Sequence, residues 1–472
     1  MALREDIRRH YRLVAGRRLA WRERHAYYYR QLEGALRFVV RPGARVLELG
    51  CGVGDTLAAL RPSLGVGVDL SPEMVAVARR RHPGLHFVVG DAQAPPLRGR
   101  FDYIVLSNLV GELEDVQECL EAVRPLCGPR TRLLIQGYSR LYQPVLHLAE
   151  GLGWKTPSPP GVNWLPPEEV ENFLELAGFE PVYTWRHTLL PVGVPLLAEL
   201  CNRWLAWLPL VRHLCWSYLV VARPLGMPRG EEPSLSVVMP CRNERGNLAA
   251  AVERLPVVGR FTELIFVEGG SSDGTAEEAR RLVAEYRGPL RLRFLQQEGV
   301  GKADAVRKGF AHAGGEVLTI LDADLTVPPE ELPRFWRALV EDKGEFINGV
   351  RLVYPMEEEA MRFLNLLGNK FFGWVLSFLL RQRVRDTLCG TKMFWAEDWE
   401  GILAQREELA VDDPFGDFDL LFGAAKLGLR IRDLPVHYGQ RTYGRTNISR
   451  FSHGWQLLRM CWVAFLRFAA PR

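Results

Sequence analysis

The hydrophobic pattern of this 472-residue chain falls into three blocks. Through about residue 40, apolar and aromatic positions are interleaved with arginines, which predicts helix ending near Arg41-Pro42-Gly43. From Val46, short apolar runs alternate with helix-length text: ARVLELG, GVGVDL, LHFVVGD, FDYIVLSN and RLLIQG. Strand-like runs spaced in this way predict βαβ units and a parallel sheet. The block closes with a helix over Pro167 to Leu176, a terminal hairpin at FEPVYTW and a hydrophobic extension from Leu189 to Val221. After ARPLGMPRGEEPS, rich in proline, glycine and charge, the alternation restarts with LSVVMP, LIFVEGG, LRFLQQ and VLTILDAD. The chain is longer than one core usually serves, so the expectation is two α/β domains, 1–225 and 234–472, with 226–233 as linker.

Charge narrows the partners. Sixty basic and 56 acidic residues leave a net charge of +4, too balanced for a nucleic-acid binder, which carries a dense basic face. Basic residues do cluster from Arg8 to Arg30 and from Arg381 to Arg385; the first cluster reads as a solvated face. The eight cysteines form no CxxC pair, which argues against a zinc knuckle or a dithiol redox site. The opening MALREDIRRHYR is charged throughout and has no secretory pattern, so the expected setting is cytoplasmic and reducing.

The first chemical constellation lies in VLELGCGVGD, where Glu48, Gly50, Gly52 and Gly54 end one strand and start a helix. Glycines there permit a tight turn and close approach of backbone to a ligand. The next strand ends at Asp69, whose carboxylate can accept both hydroxyls of a ribose; the third ends at Asp91, suited to an adenine edge. The fourth ends at Ser107-Asn108, where a substrate would face the donor. This order resembles class I S-adenosylmethionine-dependent methyltransferases over about residues 40 to 185. The resemblance implies a Rossmann-like fold with S-adenosyl-L-methionine as cofactor, held by Glu48, Gly50, Gly52, Gly54, Asp69, Asp91 and Asn108. A dinucleotide dehydrogenase ranks lower, because the loop reads ELGCGVGD rather than GxGxxG. No residue stands out as a base, and the methyl acceptor is unidentified.

The second constellation opens with SLSVVMPCRNERGNL, continues through VEGGSSDGT and GVGKADAVRKGF, and reaches VLTILDADLTVPP. Side chains two apart on a strand point the same way, so Asp322 and Asp324 are expected to present two carboxylates together. Hard oxygen ligands of this kind suit Mg2+ or Mn2+ together with a diphosphate. The motif series resembles family 2 glycosyltransferases of the GT-A type. The resemblance implies a nucleotide-diphosphate sugar donor contacted by Pro240, Asn243, Glu244, Glu268, Asp273, Lys302, Asp304 and Asp322, with Asp322 and Asp324 at the metal. Glu268-Gly269 replaces the commoner aspartate pair at the base-reading position.

Downstream, GVRLVYP, DTLCGTK, FGDFDL and QRTYGRTN look like the polyprenyl-phosphate (dolichyl-phosphate) sugar transferase branch, over about residues 234 to 450. That branch implies a lipid-phosphate acceptor, with Arg351, Lys392, Arg441 and Arg445 as phosphate binders, since forked guanidinium donors match phosphate oxygens. Asp417 or Asp419 stands at the acceptor-side acid, and Arg441 belongs with them at the catalytic centre.

No segment offers the ~18 uninterrupted apolar residues of a spanning helix. MRFLNLLGNKFFGWVLSFLLRQRVR and FSHGWQLLRMCWVAFLRF instead have the makeup of interfacial helices, with Trp455 and Trp462 suited to a headgroup boundary. A processive polysaccharide synthase would add spanning helices and a QxxRW motif, and both are missing from this sequence. The reading is a bifunctional transferase held peripherally at the inner face of the plasma membrane, its methyltransferase half acting on the same glycan or lipid. The alternative is an active glycosyltransferase with a non-catalytic module that binds S-adenosylmethionine.

Overall fold

A computed structural model of the chain describes all residues except 1, 153–157, 160, 228, 231, 355–362, 410–412, 414–415, 442, 444–449 and 470–472. It forms two compact units that divide between Met227 and Pro228.

The first unit begins with two helices, Ala2–Arg24 and Ala26–Val39, broken at His25 where one continuous helix was expected. Seven strands follow: β1 (Arg45–Leu49), β2 (Leu64–Asp69), β3 (His86–Val89), β4 (Phe101–Ser107), β5 (Cys127–Tyr138), β6 (Phe179–His187) and β7 (Ser217–Pro224). They form one sheet in the order β3-β2-β1-β4-β5-β7-β6. The first five are parallel, and β7 runs antiparallel to β5 and β6. Parallel strands covered on both faces read as unbroken apolar runs, and β1 and β4 are buried along nearly their whole length. Helix Pro167–Leu176 lies where the sequence placed it. The hydrophobic extension divides. Ser217–Pro224, fully buried, becomes β7 inside the sheet, because its SYLVVARP pattern suits a covered strand. Only the residues before it lie outside the sheet, and FEPVYTW pairs with β7 across an insertion rather than through a tight turn.

The second unit has β8 (Leu235–Cys241), β9 (Thr262–Glu268), β10 (Arg291–Gln296), β11 (Val317–Ile320), β12 (Phe346–Val350), β13 (Lys392–Trp395) and β14 (Ile431–Pro435). Their order is β10-β9-β8-β11-β13-β12-β14. Strands β10 to β11 of that order are parallel, and β13 is antiparallel to both neighbours. Central β8 and β9 are buried almost throughout, whereas the edge strand β10, RLRFLQ, alternates and carries arginines that discourage edge pairing. The expected linker is anchored within this unit at its fourth residue: Arg229 pairs with the buried Glu345 at 2.8 Å and with Glu397 at 3.0 Å.

Both sheets reverse winding direction beside their first strand. β1 lies between β2 and β4, and β8 lies between β9 and β11. Open α/β sheets bind ligands in the crevice at such a switch point, outside the carboxyl ends of the strands. The motif residues of both halves sit at those ends. The folds are a Rossmann-like methyltransferase fold and a GT-A fold.

Candidate active sites

In the first unit the strand ends frame a cavity of about 490 Å3. Gly50, Gly52 and Gly54 adopt φ of +68°, +53° and +80°, the left-handed region that glycine enters without strain. A Cβ on Gly54 would come within 2.6 Å of Phe87, while one on Gly52 would meet nothing within 4 Å. The backbone at Gly52 therefore lines open space. Asp69 accepts the Gly52 amide at 2.7 Å and the Ser71 amide at 2.9 Å, which fixes the loop. Burial raises its carboxyl pKa above the usual range, against the pull of those two amides.

Glu48 lies at the end of β1, almost wholly buried, with Oε2 unbonded among the described residues. Removal from water pushes its pKa up to about 8, despite the field of Arg22. Asn108 has φ +55°, and its Oδ1 is buried without a partner among the described residues. Asp91 accepts the Gln93 amide at 2.9 Å and pairs with Arg4 at 2.9 Å. All seven cofactor-site residues named from the sequence except Gly54 line the cavity.

The sequence reading missed the cover. Arg4, Ile7, Tyr11, Val14, Arg18 and Trp21 of the N-terminal helix, with His25 at the break after it, line the same cavity in steps of three and four residues. The cluster taken for a solvated face is therefore only partly so: Arg9 and Arg12 are exposed, but Arg22 pairs with Glu33 at 2.5 Å and with Asp55 at 3.0 Å. A hydropathy profile does not see a stripe in which arginines alternate with apolar residues. Only the spacing betrayed it. Tyr11 donates to Glu112 at 2.6 Å, and Arg18 stands among Tyr11, Tyr29, Tyr138 and Glu112, whose fields favour its charge.

In the second unit β11 ends at Ile320, so Asp322 and Asp324 lie in the turn beyond the strand. This corrects the strand-based expectation of parallel side chains, and the two carboxylates take different partners. Asp322 pairs with Lys302 at 2.6 Å. Loss of water would raise its pKa, but Lys302 holds it below the usual range. Asp324 accepts the Thr326 hydroxyl at 2.8 Å and the Arg441 guanidinium at 2.7 Å. Arg441 also reaches Glu244 at 3.4 Å. Burial, with Asp324 adding to it, raises Glu244 to about 7 even beside Arg441.

The remaining donor-side residues shape loops. Asn243, at φ +57°, accepts the Ser272 amide at 2.9 Å and donates its own amide to Ser271 at 2.9 Å. Pro240 precedes it near the end of β8. Glu268 accepts the Ser271 amide and the Gln296 side chain, each at 2.5 Å. Burial works to raise its pKa, and these bonds bring it below the usual range. Asp273 accepts the Thr275 hydroxyl at 2.5 Å, and Asp304 accepts Gly299 and Gln297, each at 3.1 Å.

Two expected phosphate binders are otherwise engaged. Arg351 makes a forked pair with buried Asp386, at 2.7 and 2.8 Å, which the sequence reading did not single out. That pair holds Asp386 down to about 2 against its burial. Lys392 is fully buried and donates to Asp417 at 2.9 Å. Both cations neutralise protein carboxylates and lie more deeply buried than Lys302 and Arg441, which corrects the expectation that they face a phosphate. Asp419 pairs with Arg406 at 3.1 Å and is raised to about 7 by burial and by Asp413. Arg445 lies outside the described residues.

Asp322 and Asp324 suit a divalent cation. They are hard oxygen donors at the switch point, but each is neutralised here by a cationic side chain that a metal ion would have to displace, and the described residues hold no group of three or more His, Cys, Asp or Glu placed to bind a metal.

Comparison with known proteins agrees with both halves. Residues 236–396 match the family described as Glycosyl transferase family 2, and residues 20–184 match that described as Methyltransferase domain. Dolichyl-phosphate hexose transferase of Haloferax volcanii is 31 % identical over 228 residues, 47 % of this chain and 89 % of that protein. The chain belongs to glycosyl transferase family 2, and it carries a methyltransferase domain as well. Glycosyltransferase AglD of the same organism is 27 % identical over 242 residues, and the match spans 49 % of this chain but only 38 % of that one. A solved glucosyl-3-phosphoglycerate synthase from Mycobacterium tuberculosis, in complex with Mn2+, uridine diphosphate and glucosyl-3-phosphoglycerate, aligns at 18 % identity. The alignment covers 50 % of this chain and 80 % of that one, with a TM-score of 0.37.

Proposed function

We propose that the chain is a bifunctional transferase working at a membrane surface. Its second unit passes one sugar from a nucleotide-diphosphate donor to a polyprenyl phosphate or related lipid phosphate. The observation that carries this reading is the paired charge at the switch point, where Asp324 meets Arg441 and Asp322 meets Lys302. Arg441 and Lys302 can turn from these carboxylates to the donor's diphosphate. Asp322 and Asp324 would hold Mg2+ or Mn2+, which would supply charge neutralisation for the departing diphosphate. In the transfer, an acceptor phosphate oxygen forms the bond to the anomeric carbon. The bond from that carbon to the diphosphate breaks, and its electron pair leaves with the nucleoside diphosphate. The acceptor is already anionic, so Asp419 is called on for little proton transfer. Dolichyl-phosphate and undecaprenyl-phosphate transferases among the relatives support a lipid-phosphate acceptor.

No described helix is long and apolar enough to cross a membrane. Helix Phe363–Leu380 nevertheless exposes Leu367, Phe371 and Trp374, and Arg383 and Arg385 are exposed just beyond it. Helix Arg450–Ala469 exposes Trp455, Leu458 and Trp462. Aromatic and apolar side chains flanked by arginine suit peripheral seating in a headgroup layer.

The first unit transfers methyl from S-adenosylmethionine. The acceptor's lone pair forms the bond to the methyl carbon, the carbon–sulfur bond breaks, and its electron pair stays on sulfur as a neutral thioether. Glu112, a cavity-lining carboxylate held by Tyr11, takes the acceptor's proton.

The deciding experiment offers a panel of sugar nucleotides with Mg2+ or Mn2+ and a short polyprenyl phosphate to wild type and to Asp324→Ala. Metal-dependent transfer to the lipid, lost in the variant, is expected. Transfer that is indifferent to metal and to Asp324 would overturn the site assignment.

A further inference from the structure

The methyl-transfer cavity opens beside an apolar surface that the rest of its own unit leaves uncovered. Val192 lines the cavity and is 60 % exposed, so it stands at the mouth, with Leu146 and Pro191 in the adjoining wall. On one side of the mouth, helix Gln143–Gly151 has no buried residue at all, although it carries Val145, Leu146 and Leu148. A surface helix ordinarily buries its apolar stripe. On the other side, the chain from Val192 to Leu197 is exposed throughout. Leu196 is 85 % exposed at φ +60°, a conformation leucine rarely adopts, and Leu210 is 87 % exposed further along. Tyr142 joins the two sides: its hydroxyl donates to the Leu214 carbonyl at 2.5 Å, and its ring lies 4.5 Å from that of Trp216. Exposed apolar surface on this scale marks an interaction site.

Charge indicates what covers it. Arg140, Arg212 and His213 are exposed around the shelf, and neither arginine side chain makes an ion pair or hydrogen bond among the described residues. The neighbouring acids are engaged, Glu199 by Arg203 at 3.0 Å and Glu150 by Ser158 at 2.6 Å. The surface is therefore apolar with a basic fringe, and Trp204 lies exposed within it. Its backbone from Leu200 to Leu214 is a succession of short π and 3-10 turns. A bilayer asks for apolar side chains and cationic fringes but not for shape complementarity.

We propose that this shelf seats the first unit on an anionic lipid bilayer, and that its methyl acceptor is the head group of a membrane lipid entering past Val192. The acceptor part rests on the reading that this unit transfers methyl; the docking part does not. Membrane docking here is separate from that of the second unit, since different residues carry it.

Hydrogen–deuterium exchange on the full chain, with and without phosphatidylcholine vesicles containing phosphatidylglycerol, reads the two surfaces apart. Protection at 141–152 and 192–214 is expected. In Leu196→Glu/Leu210→Glu the vesicle affinity read at those segments falls at least about tenfold, equivalent to about 1.4 kcal/mol. Both leucines are exposed, and unchanged S-adenosylmethionine affinity verifies that the variant folds. Protection confined to 363–380 and 450–469 overturns the inference and leaves the glycosyl-transfer reading intact. Protection that needs only higher protein concentration assigns the shelf to a second copy, which also overturns it. For the acceptor, label from methyl-labelled S-adenosylmethionine given with cell membranes is expected in the organic extract and is reduced in the variant. Label only in water-soluble products overturns the acceptor assignment. Label in no fraction, with cofactor bound, overturns the methyl-transfer reading as well.

Discussion

The two active sites occupy the same position in similar sheets, yet they meet their ligands in opposite electrical states. In the first, Asp69 and Asp91 are engaged, but among the described residues Glu48 has an unbonded buried oxygen, Asn108 an unpartnered one, and Gly52 borders open space. In the second, the carboxylates at the switch point already hold cations, Lys302 on Asp322 and Arg441 on Asp324. A cavity that leaves its polar groups open suits a small zwitterionic cofactor that brings its own partners. On the proposed function the second site takes a divalent cation and a diphosphate together, and its acids and bases are stored paired until both arrive. Ligand entry at the first site adds contacts, and at the second it exchanges them.

That contrast can be broken by substitution. The largest effect is expected from Asp324→Ala. On the proposed function it removes a metal ligand, and it also releases Arg441, so sugar transfer should fall by about 10²–10³-fold in a radiolabelled-sugar assay. S-adenosylmethionine binding should be untouched. Asp69→Asn comes next. A charge-assisted hydrogen bond is worth about 1.5–3 kcal/mol, so cofactor affinity by calorimetry should drop by roughly 10- to 150-fold, with glycosyl transfer unchanged.

A third test uses pH. Glu48 ionises near 8 in the folded unit, above its ordinary value, so its share of stability is full at low pH and is lost as pH rises toward 8. A cofactor ammonium placed against Glu48 requires the ionised form. S-adenosylmethionine affinity should then rise by up to about tenfold per pH unit below 8, and Glu48→Gln should flatten that slope. A flat wild-type profile would place the ammonium elsewhere. The smallest effect is expected at Asp419. Its pKa near 7 would give a rate rising through neutrality if it served as base. Because the phosphate acceptor is already anionic, Asp419→Asn should cost less than about tenfold, well short of the 10²–10⁴ of general-base catalysis. A larger loss would argue for a hydroxyl acceptor.

Much of this molecule was legible as text. Strand-length apolar runs located β1, β2, β4, β8, β9 and β11, because a parallel strand covered on both faces has little room for polar residues, while the edge strands β3 and β10 were marked by their spacing. Glycines at positive φ marked the first loop for a comparable reason, since a side chain at Gly54 would strike Phe87. Other features were hidden. β7 looked like the tail of a surface extension, because nothing local says which neighbour an apolar octet will pair with. The N-terminal helix looked solvated because its inward stripe mixes arginine with apolar residues.

The sequence by itself determined the two α/β blocks, their order, and which residues stand at the strand ends, since periodicity and glycine chemistry are local and survive without a partner. Only the tertiary structure decided which charges are free. Arg351 and Lys392 read as phosphate binders until Asp386 and Asp417 came to lie against them, across 35 and 25 residues of chain. A charge's task depends on what folding places within about 4 Å of it, and that distance is not written in the order of residues.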